Sequence, residues 1–337
     1  MGKAYKYRGG IGIFDGEGNS IFHRDVNTLA NNEIYLPTIN ELNDPTEGFF
    51  DDSQIKRFVD QHRRVSEQFV KAYRDIQKKS GEVGIYSLSR NVDNELLWAY
   101  YATGHTGFAI EYDTDILAKS SNYNKYMPLL YELDVAYKDS VPQLTMADLP
   151  PISDFESYLQ IALASKSNSW THEQEIRLIF ESIGLFKIDY RAVTAIYFGY
   201  RMQQKEIDYI MEQLKGRRIS YYKMNLMPNS YKFKPQKIND KYPNANYHNT
   251  QIKYDLEELL ISACISEAEI IQFKGYFKSA LDIVSKDTTI SSIYLIALCY
   301  SESTPILKVF AKTGIDVAPV KTFQFSINEC EELVQLD

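Results

Sequence analysis

Cysteine is scarce in this sequence. Its 337 residues include three cysteines, Cys264, Cys299 and Cys330, all in the last quarter of the chain. They form no Cys-x-x-Cys pair and His-Glu-x-x-His is also missing, so we expect neither a disulfide framework nor a dedicated zinc site. Such isolated cysteines are typical of small buried side chains in a reducing compartment. The protein is therefore predicted to be cytoplasmic.

Long hydrophobic runs are missing as well. No segment approaches the roughly 18 apolar residues of a membrane span. The first residues, MGKAYKYRGG, contain no apolar core like that of a signal peptide. We therefore expect no membrane association. The net charge of −8 argues against a protein that binds duplex nucleic acid through its phosphates, although a local basic groove would still accept nucleic acid as a substrate.

Several catalytic signatures are absent. The sequence has no Gly-x-Gly-x-x-Gly after a strand and no Gly-x-x-x-x-Gly-Lys-Ser/Thr, so neither Rossmann nor P-loop nucleotide binding is indicated. Gly-x-Ser-x-Gly is missing too, which disfavours a serine hydrolase.

Tyrosine, in contrast, is abundant: the chain has 26 Tyr beside 17 Phe and two Trp. Tyr combines an apolar ring with a polar tip, so an excess of it suits half-hydrated grooves and interfaces. Biased codon usage explains the same excess. The apolar fraction of 44% and the charged fraction of 24% are typical of a globular protein, and the length suggests two domains.

The pattern of apolar residues predicts an α+β domain over residues 1–226, with a mainly antiparallel sheet and flanking helices. Helices are expected over Ser53–Lys79, after a capping-box spacing at Ser153 and Glu156, and over about Gln203–Lys215. Residues 227–252 are rich in Pro, Asn and Lys and are predicted to be a linker. Residues 253–337 are predicted to form a small all-α domain that binds a protein partner or mediates self-association.

The most informative segment is LLWAYYATGHTGFAIEYD, which brings Trp98, Tyr100, Tyr101 and His105 together before an apolar strand. Four further polar clusters occur along the first domain: Tyr5–Arg8, Asn43–Glu47, Tyr86–Ser89 and Trp170–Arg177. Each has an ordinary structural explanation, such as a solvated arginine, a rigid Asn-Asp-Pro turn or locally bonded serines.

In their order, these segments resemble the landmarks of a bacterial family known as domain of unknown function 2971, over about residues 4–225. Thr46 departs from the family pattern, which leads us to expect an aromatic residue there. The resemblance implies a place in bacterial accessory genomes, and hence a role in antiviral defence or as a toxin.

The order of the clusters also resembles that of NAD⁺-consuming ADP-ribosyltransferases, which carry Arg, Ser-Thr-Ser and Glu-x-Glu on successive strands. This resemblance implies Glu175 as the catalytic carboxylate and Glu173 as the residue that orients the acceptor. It implies that NAD⁺ binds as a substrate and that Arg8 holds one of its phosphates. It also implies that Ser87 or Ser89 positions Glu175. Tyr86 or Tyr101 would stack on nicotinamide, and the remaining predicted binding residues are Tyr5 and His105.

Two other functions stay open from the sequence. A metal-dependent nuclease would draw its ligands from Asp44, Glu47, Glu111, Asp113, Glu173 and Glu175, with His105 or His172 as the base. Nothing in the spacing forces these side chains together, so no metal is expected. Alternatively, the Tyr-rich domain binds a ligand or partner without turnover.

Overall fold

The structure, a computed structural model, describes residues 2–9, 11–62, 66–120, 129–150, 154–245, 252, 254–263, 265–285, 290–301, 304–313, 320–327 and 333–336. The chain divides into two compact units. The first comprises Met1–Leu214 and Ile219–Lys241, and the second comprises Lys215–Arg218 and Tyr242–Asp337.

The first unit is built on an eight-stranded sheet in the order β12-β11-β10-β4-β1-β3-β8-β5. Two strand pairs, β2–β9 and β6–β7, lie outside it. The strands are β1 (Lys3–Arg8), β2 (Glu33–Leu36), β3 (Gly84–Ser89), β4 (Phe108–Asp113), β5 (Leu129–Asp134), β6 (Ala136–Lys138), β7 (Ser165–Ser167), β8 (Glu175–Phe180), β9 (Gly184–Lys187), β10 (Val193–Phe198), β11 (Ser220–Leu226) and β12 (Phe233–Ile238). Within the large sheet β10 and β11 pair in parallel, and the other neighbours pair antiparallel. The predicted α+β class with a mainly antiparallel sheet is confirmed.

Helices flank these strands. They are α1 (Ile21–Ala30), α2 (Ser53–Gln61), α3 (Ser66–Gly81), α4 (Glu95–Tyr100), α5 (Thr114–Lys119), α6 (Phe155–Leu163) and α7 (Gln204–Gln213). Short 3-10 segments cover Ile39–Glu41, Met146–Asp148, Asn168–Glu173 and Tyr190–Ala192. The single helix predicted over Ser53–Lys79 is found as α2 and α3, and residues 63–65 between them lie outside the described part of the chain. Asp154 caps α6 by accepting from the Ser157 amide at 2.9 Å, whereas Ser153 lies outside the described residues.

The large sheet opens between β1 and β3. Strand β1 pairs with β4 from Lys3 to Arg8, but its registered pairing with β3 is limited to Tyr5 opposite Ser89. Beyond that pair the Lys6 ammonium donates to the Ser87 carbonyl oxygen at 2.8 Å, where a continuous ladder would have used a backbone amide. On its other edge β3 pairs with β8 along its whole length. The opening therefore lies beside three neighbouring strands, β1, β3 and β8.

The sheet is anchored by apolar packing on its strands. All six residues of β8 and all six of β4 are buried. Trp98 of α4 is fully buried and meets Tyr7 of β1 edge to face, with ring centroids 5.2 Å apart. Burial of large aromatic side chains contributes several kcal/mol to a core, so α4 is firmly fixed above this part of the sheet.

The second unit contains helices α8 (Leu256–Ser262) and α9 (Glu267–Val284) and strands β13 (Ile290–Ser301), β14 (Thr304–Thr313), β15 (Val320–Ile327) and β16 (Leu333–Leu336). The four strands form an antiparallel sheet in chain order. The prediction of an all-α C-terminal domain is therefore wrong. Its predicted role in binding a partner or a second copy stays a prediction.

The error has a physical cause in β13. Two register shifts, between Ile290 and Ser292 and between Ile293 and Leu295, place its buried residues Ile290, Ile293 and Ile296 three apart. A β-bulge inserts one residue, so inward positions that normally recur every two residues recur every three, as on one face of a helix. Strand β14 keeps the regular period, with Leu307, Val309 and Ala311 buried.

The first part of the linker predicted over residues 227–252 contains a strand in the structure. Phe233–Ile238 forms β12, which pairs antiparallel with β11 at the edge of the sheet. Lys234, Pro235, Gln236 and Lys237 are exposed there, because an edge strand needs little apolar burial. Among the described residues no helix is long and apolar enough to cross a bilayer.

Candidate functional site

A cleft of about 770 Å³ lies in the first unit where β1 and β3 diverge. Seven of the predicted site residues line it, namely Tyr5, Arg8, Ser87, Ser89, Tyr101, Glu173 and Glu175. A second cavity, of about 610 Å³, lies beside the turn between β11 and β12, and its described lining includes no charged side chain. The titratable chemistry is therefore gathered in the cleft.

Lys166 sits at the centre of the charged groups on one wall of the cleft. Its ammonium lies 2.6 Å from Glu173 Oε2, 3.2 Å from Glu47 Oε1 and 3.4 Å from Glu175 Oε2. It also lies 4.8 Å from the centroid of the Trp170 ring. These four charged side chains are nearly buried, with 3 to 7% of each exposed, so their interactions are only weakly screened.

Arg177 also belongs to this network of charged side chains. Its Nη2 lies 2.8 Å and 2.9 Å from the two carboxylate oxygens of Glu47, and its Nε donates to Glu175 Oε1 at 2.8 Å. Its Nη1 donates to the Leu163 carbonyl oxygen. We call these five residues, Glu47, Lys166, Glu173, Glu175 and Arg177, the carboxylate cluster. With every group charged, it carries one negative charge in excess.

Local backbone geometry explains how Glu173 and Glu175 reach the same cleft. Glu173 ends a 3-10 segment, and Gln174 follows in the left-handed region with φ of 45° before Glu175 begins β8. The Tyr137 hydroxyl on β6 accepts from the Glu175 amide at 2.8 Å. Tyr137 lies opposite Lys166 in the β6–β7 pair, so this pair places Lys166 against both carboxylates.

Glu47 reaches the cluster through the Asn-Asp-Pro turn. Asp44 Oδ1 accepts from both the amide and the hydroxyl of Thr46, at 2.9 Å and 2.8 Å, and the Glu47 amide donates to the Asp44 carbonyl oxygen at 3.1 Å. Gly48 then takes a φ of 76°, which a side chain would strain. Thr46 is thus part of the turn that presents Glu47.

Burial alone would raise the pKa of Glu175, because a charged carboxylate is poorly solvated in the interior. The Arg177 guanidinium and then the Lys166 ammonium outweigh this effect and lower the pKa to about 2. Ser87 Oγ also favours the charged form, although it is buried without a partner that meets hydrogen-bond geometry. Glu175 is therefore a permanent anion at physiological pH.

Ser89 and Tyr101 both hold Glu173. Ser89 Oγ donates to the Glu173 carbonyl oxygen at 2.7 Å, and the Tyr101 hydroxyl donates to Glu173 Oε1 at 2.6 Å. Asn43 in turn donates to the Tyr101 hydroxyl at 3.3 Å. Burial, together with the Glu173 carboxylate, raises the pKa of Tyr101, so this phenol stays protonated.

The other wall of the cleft is cationic. Lys6, Arg8 and Arg24 line it together with Asp25, and Glu41 also belongs to the lining of the cleft. Asp25 lies 3.0 Å from Arg24 Nη2 but 4.0 Å from Arg8 Nε, so it pairs closely with Arg24. Burial, followed by the neighbouring Arg8 charge, lowers the pKa of Lys6 to about 7.

Two predicted site residues do not line the cleft. Tyr86 is buried, donates its hydroxyl to that of Tyr112 at 3.1 Å, and interacts with the Arg8 guanidinium. His105 packs between Trp98 and Phe233, with ring centroids at 6.3 Å and 4.7 Å, and burial lowers its pKa. The Tyr86 ring thus cannot stack on a ligand in the cleft. His105 packs on Trp98 and Phe233 instead of facing the cavity.

Sequence reasoning missed Lys6, Asn43, Tyr100 and Lys166 as cleft residues. Lys166 lies in ASKSNSW, which carries no catalytic signature, and only the tertiary structure brings it to Glu47. Lys6 had a usable signal, because it lies two residues before Arg8 and side chains two apart on a strand share a face. Tyr100 adjoins the predicted Tyr101 and is 60% exposed at the cleft.

The six carboxylates of the metal hypothesis do not all converge. Glu47, Glu173 and Glu175 meet, but Lys166 and Arg177 lie among them. Glu111 accepts from Lys3, Thr194 and Tyr197 instead, while Asp113 caps α5 and Asp44 serves its own turn. Within the described part of the chain, no group of three or more His, Cys, Asp or Glu is arranged to hold a metal ion.

Comparison with known proteins gives one family match. Searches of curated proteins and of solved structures found no match. A family model described as "Protein of unknown function (DUF2971)" matches residues 97–178. The matched stretch contains Tyr101, Lys166, Glu173, Glu175 and Arg177, which form most of the carboxylate wall. The match confirms, over residues 97–178, the resemblance to the DUF2971 family that the sequence motifs indicated.

Proposed function

We propose that the cleft binds NAD⁺ and transfers its ADP-ribosyl group to an acceptor, as an ADP-ribosyltransferase-like enzyme. The observation that carries this proposal is convergence. Arg8, Ser87 with Ser89, and Glu173 with Glu175 come from three distant parts of the sequence, yet β1, β3 and β8 are neighbours and these residues line one cleft.

The charges of the two walls support the same ligand. NAD⁺ carries a diphosphate at its middle and a positively charged nicotinamide ring at one end. The wall with Lys6, Arg8 and Arg24 suits the diphosphate, because guanidinium and ammonium groups bind phosphate oxygens. The carboxylate cluster, with its excess negative charge, suits the cationic end.

Cleavage breaks the bond between nicotinamide and the ribose carbon, and nicotinamide leaves with the bonding electron pair. A new bond then forms between that carbon and an oxygen or nitrogen of the acceptor, whose proton is released. Positive charge builds on the ribose during this exchange, and a fixed carboxylate beside it stabilises the transition state. Glu175 fits this electrostatic role, since its low pKa makes it a poor proton acceptor at neutral pH.

The other residues take positioning roles. Glu173, held by Tyr101 and Lys166, orients the acceptor, and Arg177 fixes Glu175. The exposed ring of Tyr100, which lies near His172 with centroids 6.3 Å apart, replaces Tyr86 as the stacking surface for nicotinamide. The acceptor, whether protein, nucleic acid or small molecule, and a role in bacterial defence or as a toxin belong to the same proposal.

The direct test is release of nicotinamide from NAD⁺ by the full chain and by Glu175→Gln, with Mg²⁺ and with EDTA. We expect metal-independent release that falls at least a hundredfold in Glu175→Gln, in line with the loss of one preorganised electrostatic group. Glu132→Gln is the matched control, because Glu132 is exposed on β5. Equal release by wild type and Glu175→Gln contradicts the assignment. Mg²⁺-dependent cleavage of a nucleic acid phosphodiester, without release of nicotinamide, supports the metal-dependent nuclease instead.

A further inference from the structure

The sheet of the second unit ends on one side at β13. Among the described strands β13 pairs with β14 alone, so it has one edge without a neighbouring strand. Two tyrosines on this strand, Tyr294 and Tyr300, are 39% and 53% exposed. A strand at the edge of a sheet presents a row of unpaired backbone donors and acceptors. The outer edge of β13 is therefore a place where a further strand can join the sheet.

The sequence of β13 lacks the features that keep edge strands from pairing. Its 12 residues, ISSIYLIALCYS, include no charged residue and no proline. Edge strands are usually protected by lysine, by proline, by bulges or by being short. The two bulges of β13 lie between Ile290 and Leu295, whereas Leu295–Ser301 pairs with β14 residue for residue. This regular stretch, which we call the open edge, has none of these protections.

The other outer strands of the two larger sheets are protected. Strand β12 carries Lys234, Pro235 and Lys237, and strand β5 carries Glu132 and Asp134. Strand β16, at the far side of the second sheet, is only 4 residues long. An unprotected edge without a partner promotes aggregation, so the composition of β13 indicates that this edge is a pairing surface.

We propose that the open edge of β13 pairs antiparallel with the open edge of a second copy of the chain. This pairing joins two four-stranded sheets into one continuous sheet about a two-fold axis. The axis lies at Leu298, the middle residue of the open edge, and places Leu298 opposite its own copy. It also places Ile296 opposite the second copy's Tyr300, and Ala297 opposite its Cys299. The pairing does not depend on the activity of the cleft.

The two faces of the strand suit this arrangement. Residues directly opposite each other in an antiparallel pair point to the same side, so each face of β13 meets itself. Ile296 is fully buried, and Leu298 is partly buried against the same core, which includes residues of α9. A second copy covers the rest of Leu298 with an identical leucine. It also places the exposed Tyr300 ring against Ile296, and aromatic and β-branched residues are favourable cross-strand partners.

The distribution of charge favours a second copy over a strand of another protein. Near a two-fold axis each residue lies close to its own copy, so a charged residue there meets the same charge. A strand that pairs with itself must therefore be free of charge, as the open edge is. A strand that pairs with a different protein has no such restriction, because the partner can carry the opposite charge.

The test is sedimentation velocity of the full chain over a wide range of concentrations, where we expect a dimer. The double variant Ala297→Lys with Cys299→Lys places like charges directly opposite each other at two points. Ala297→Lys with Cys299→Glu places opposite charges there instead. Both positions are half-buried on the face away from the core. The first variant should dissociate with a constant at least tenfold higher than that of the second.

Gln335→Lys is the control, because Gln335 is exposed on the other edge strand, β16, and its dimer should equal that of wild type. Thermal unfolding checks that each variant is folded. If the double variants do not fold, Tyr300→Lys provides a substitution at an exposed position of the open edge. We expect it to weaken the dimer at least tenfold, because it places a charge opposite Ile296.

Four results would each overturn the proposal. A single-chain mass at every concentration would leave the open edge to a strand of another protein. An assembly of more than two chains would contradict the two-fold axis. Equal dissociation constants for the two folded double variants would contradict the pairing of Ala297 with Cys299. Loss of the dimer in Gln335→Lys would place the interface at β16.

Discussion

Arg177 is a buried charge that depends on several partners. It is fully buried and pairs with two carboxylates, Glu47 and Glu175, while also donating to a backbone carbonyl. Desolvating so many charges is costly, and the pairs offset that cost only while every partner is present. The cluster is therefore better understood as a preorganised site than as a source of stability.

Replacing Arg177 by Met should lower the free energy of unfolding by about 3–5 kcal/mol, because the three buried carboxylates of the cluster would then share one cation, Lys166. Urea unfolding measures this change. Arg57→Met is the control, since Arg57 is exposed on α2, and should stay within about 0.5 kcal/mol of wild type. Equal stability of the two variants would show that the cluster does not depend on Arg177.

The low pKa of Glu175 leads us to expect that the free energy of unfolding falls in acid. Its pKa is about 2 in the folded chain and roughly 4.3 when unfolded. The unfolded state then binds more protons between these values. The stabilisation is complete above about pH 4.5 and is lost as pH falls toward 2, to a total of roughly 3 kcal/mol.

Urea midpoints at pH 5, 4 and 3 should therefore fall more steeply for wild type than for Glu175→Gln, which has no titrating group at this position. Parallel slopes for the two proteins would mean that Glu175 is not held as an anion by Arg177 and Lys166.

At the scale of elements, the second unit shows how a bulged strand imitates a helix. Inward residues of β13 are three apart, while those of β14 alternate. The decisive information lies in β14, where KVFAK alternates charged or half-exposed residues with buried ones. A period of two over five residues indicates a strand, but it is too short to outweigh longer apolar spacings on either side.

Substitution along β14 distinguishes a strand from a helix. Val309→Asp should unfold the second unit, since a carboxylate would replace a fully buried side chain at a cost of several kcal/mol. Lys308→Asp, one residue earlier on the opposite face, should change stability by less than about 1 kcal/mol. Circular dichroism melts measure both, and similar losses for the two variants would contradict the alternation.

The opening between β1 and β3 is the element that makes a site possible. Strands paired along their whole length lie about 4.8 Å apart and leave no room for a ligand. Limited pairing, with Lys6 bonded to the Ser87 carbonyl, lets polar side chains of three strands face one cavity. The sequence indicated which strands carry polar residues, but it could not show where the ladder stops.

At the scale of the whole molecule, the boundary between the two units lies later than the sequence suggested. Composition predicted the end of the first domain at residue 226, whereas the first unit extends to Lys241 because β12 completes the sheet edge. Phe233 of β12 packs on the His105 ring at 4.7 Å.

A chain that ends at residue 226 should consequently be less stable than one that ends at residue 241. It loses the burial of the half-buried Phe233, which contributes about 1–2 kcal/mol, and the hydrogen bonds between β11 and β12. Urea unfolding of both chains and of Phe233→Ala in the full chain measures the difference. Stability that is the same for the two truncated chains would make β12 dispensable.

The sequence by itself determined the α+β class, the polar clusters and the family resemblance, because these rest on local spacing and on short ordered motifs. It also supplied seven of the residues that line the cleft. The tertiary structure decided the rest. The order of the strands brings Lys166 and Glu47 to Glu175, and packing places Tyr86 and His105 outside the cavity. Bulges give strand β13 the spacing of apolar residues that is typical of a helix. The physical reason is that contacts between residues far apart in the chain depend on strand order and on where strand pairing stops, and neither of these leaves a periodic mark on the sequence.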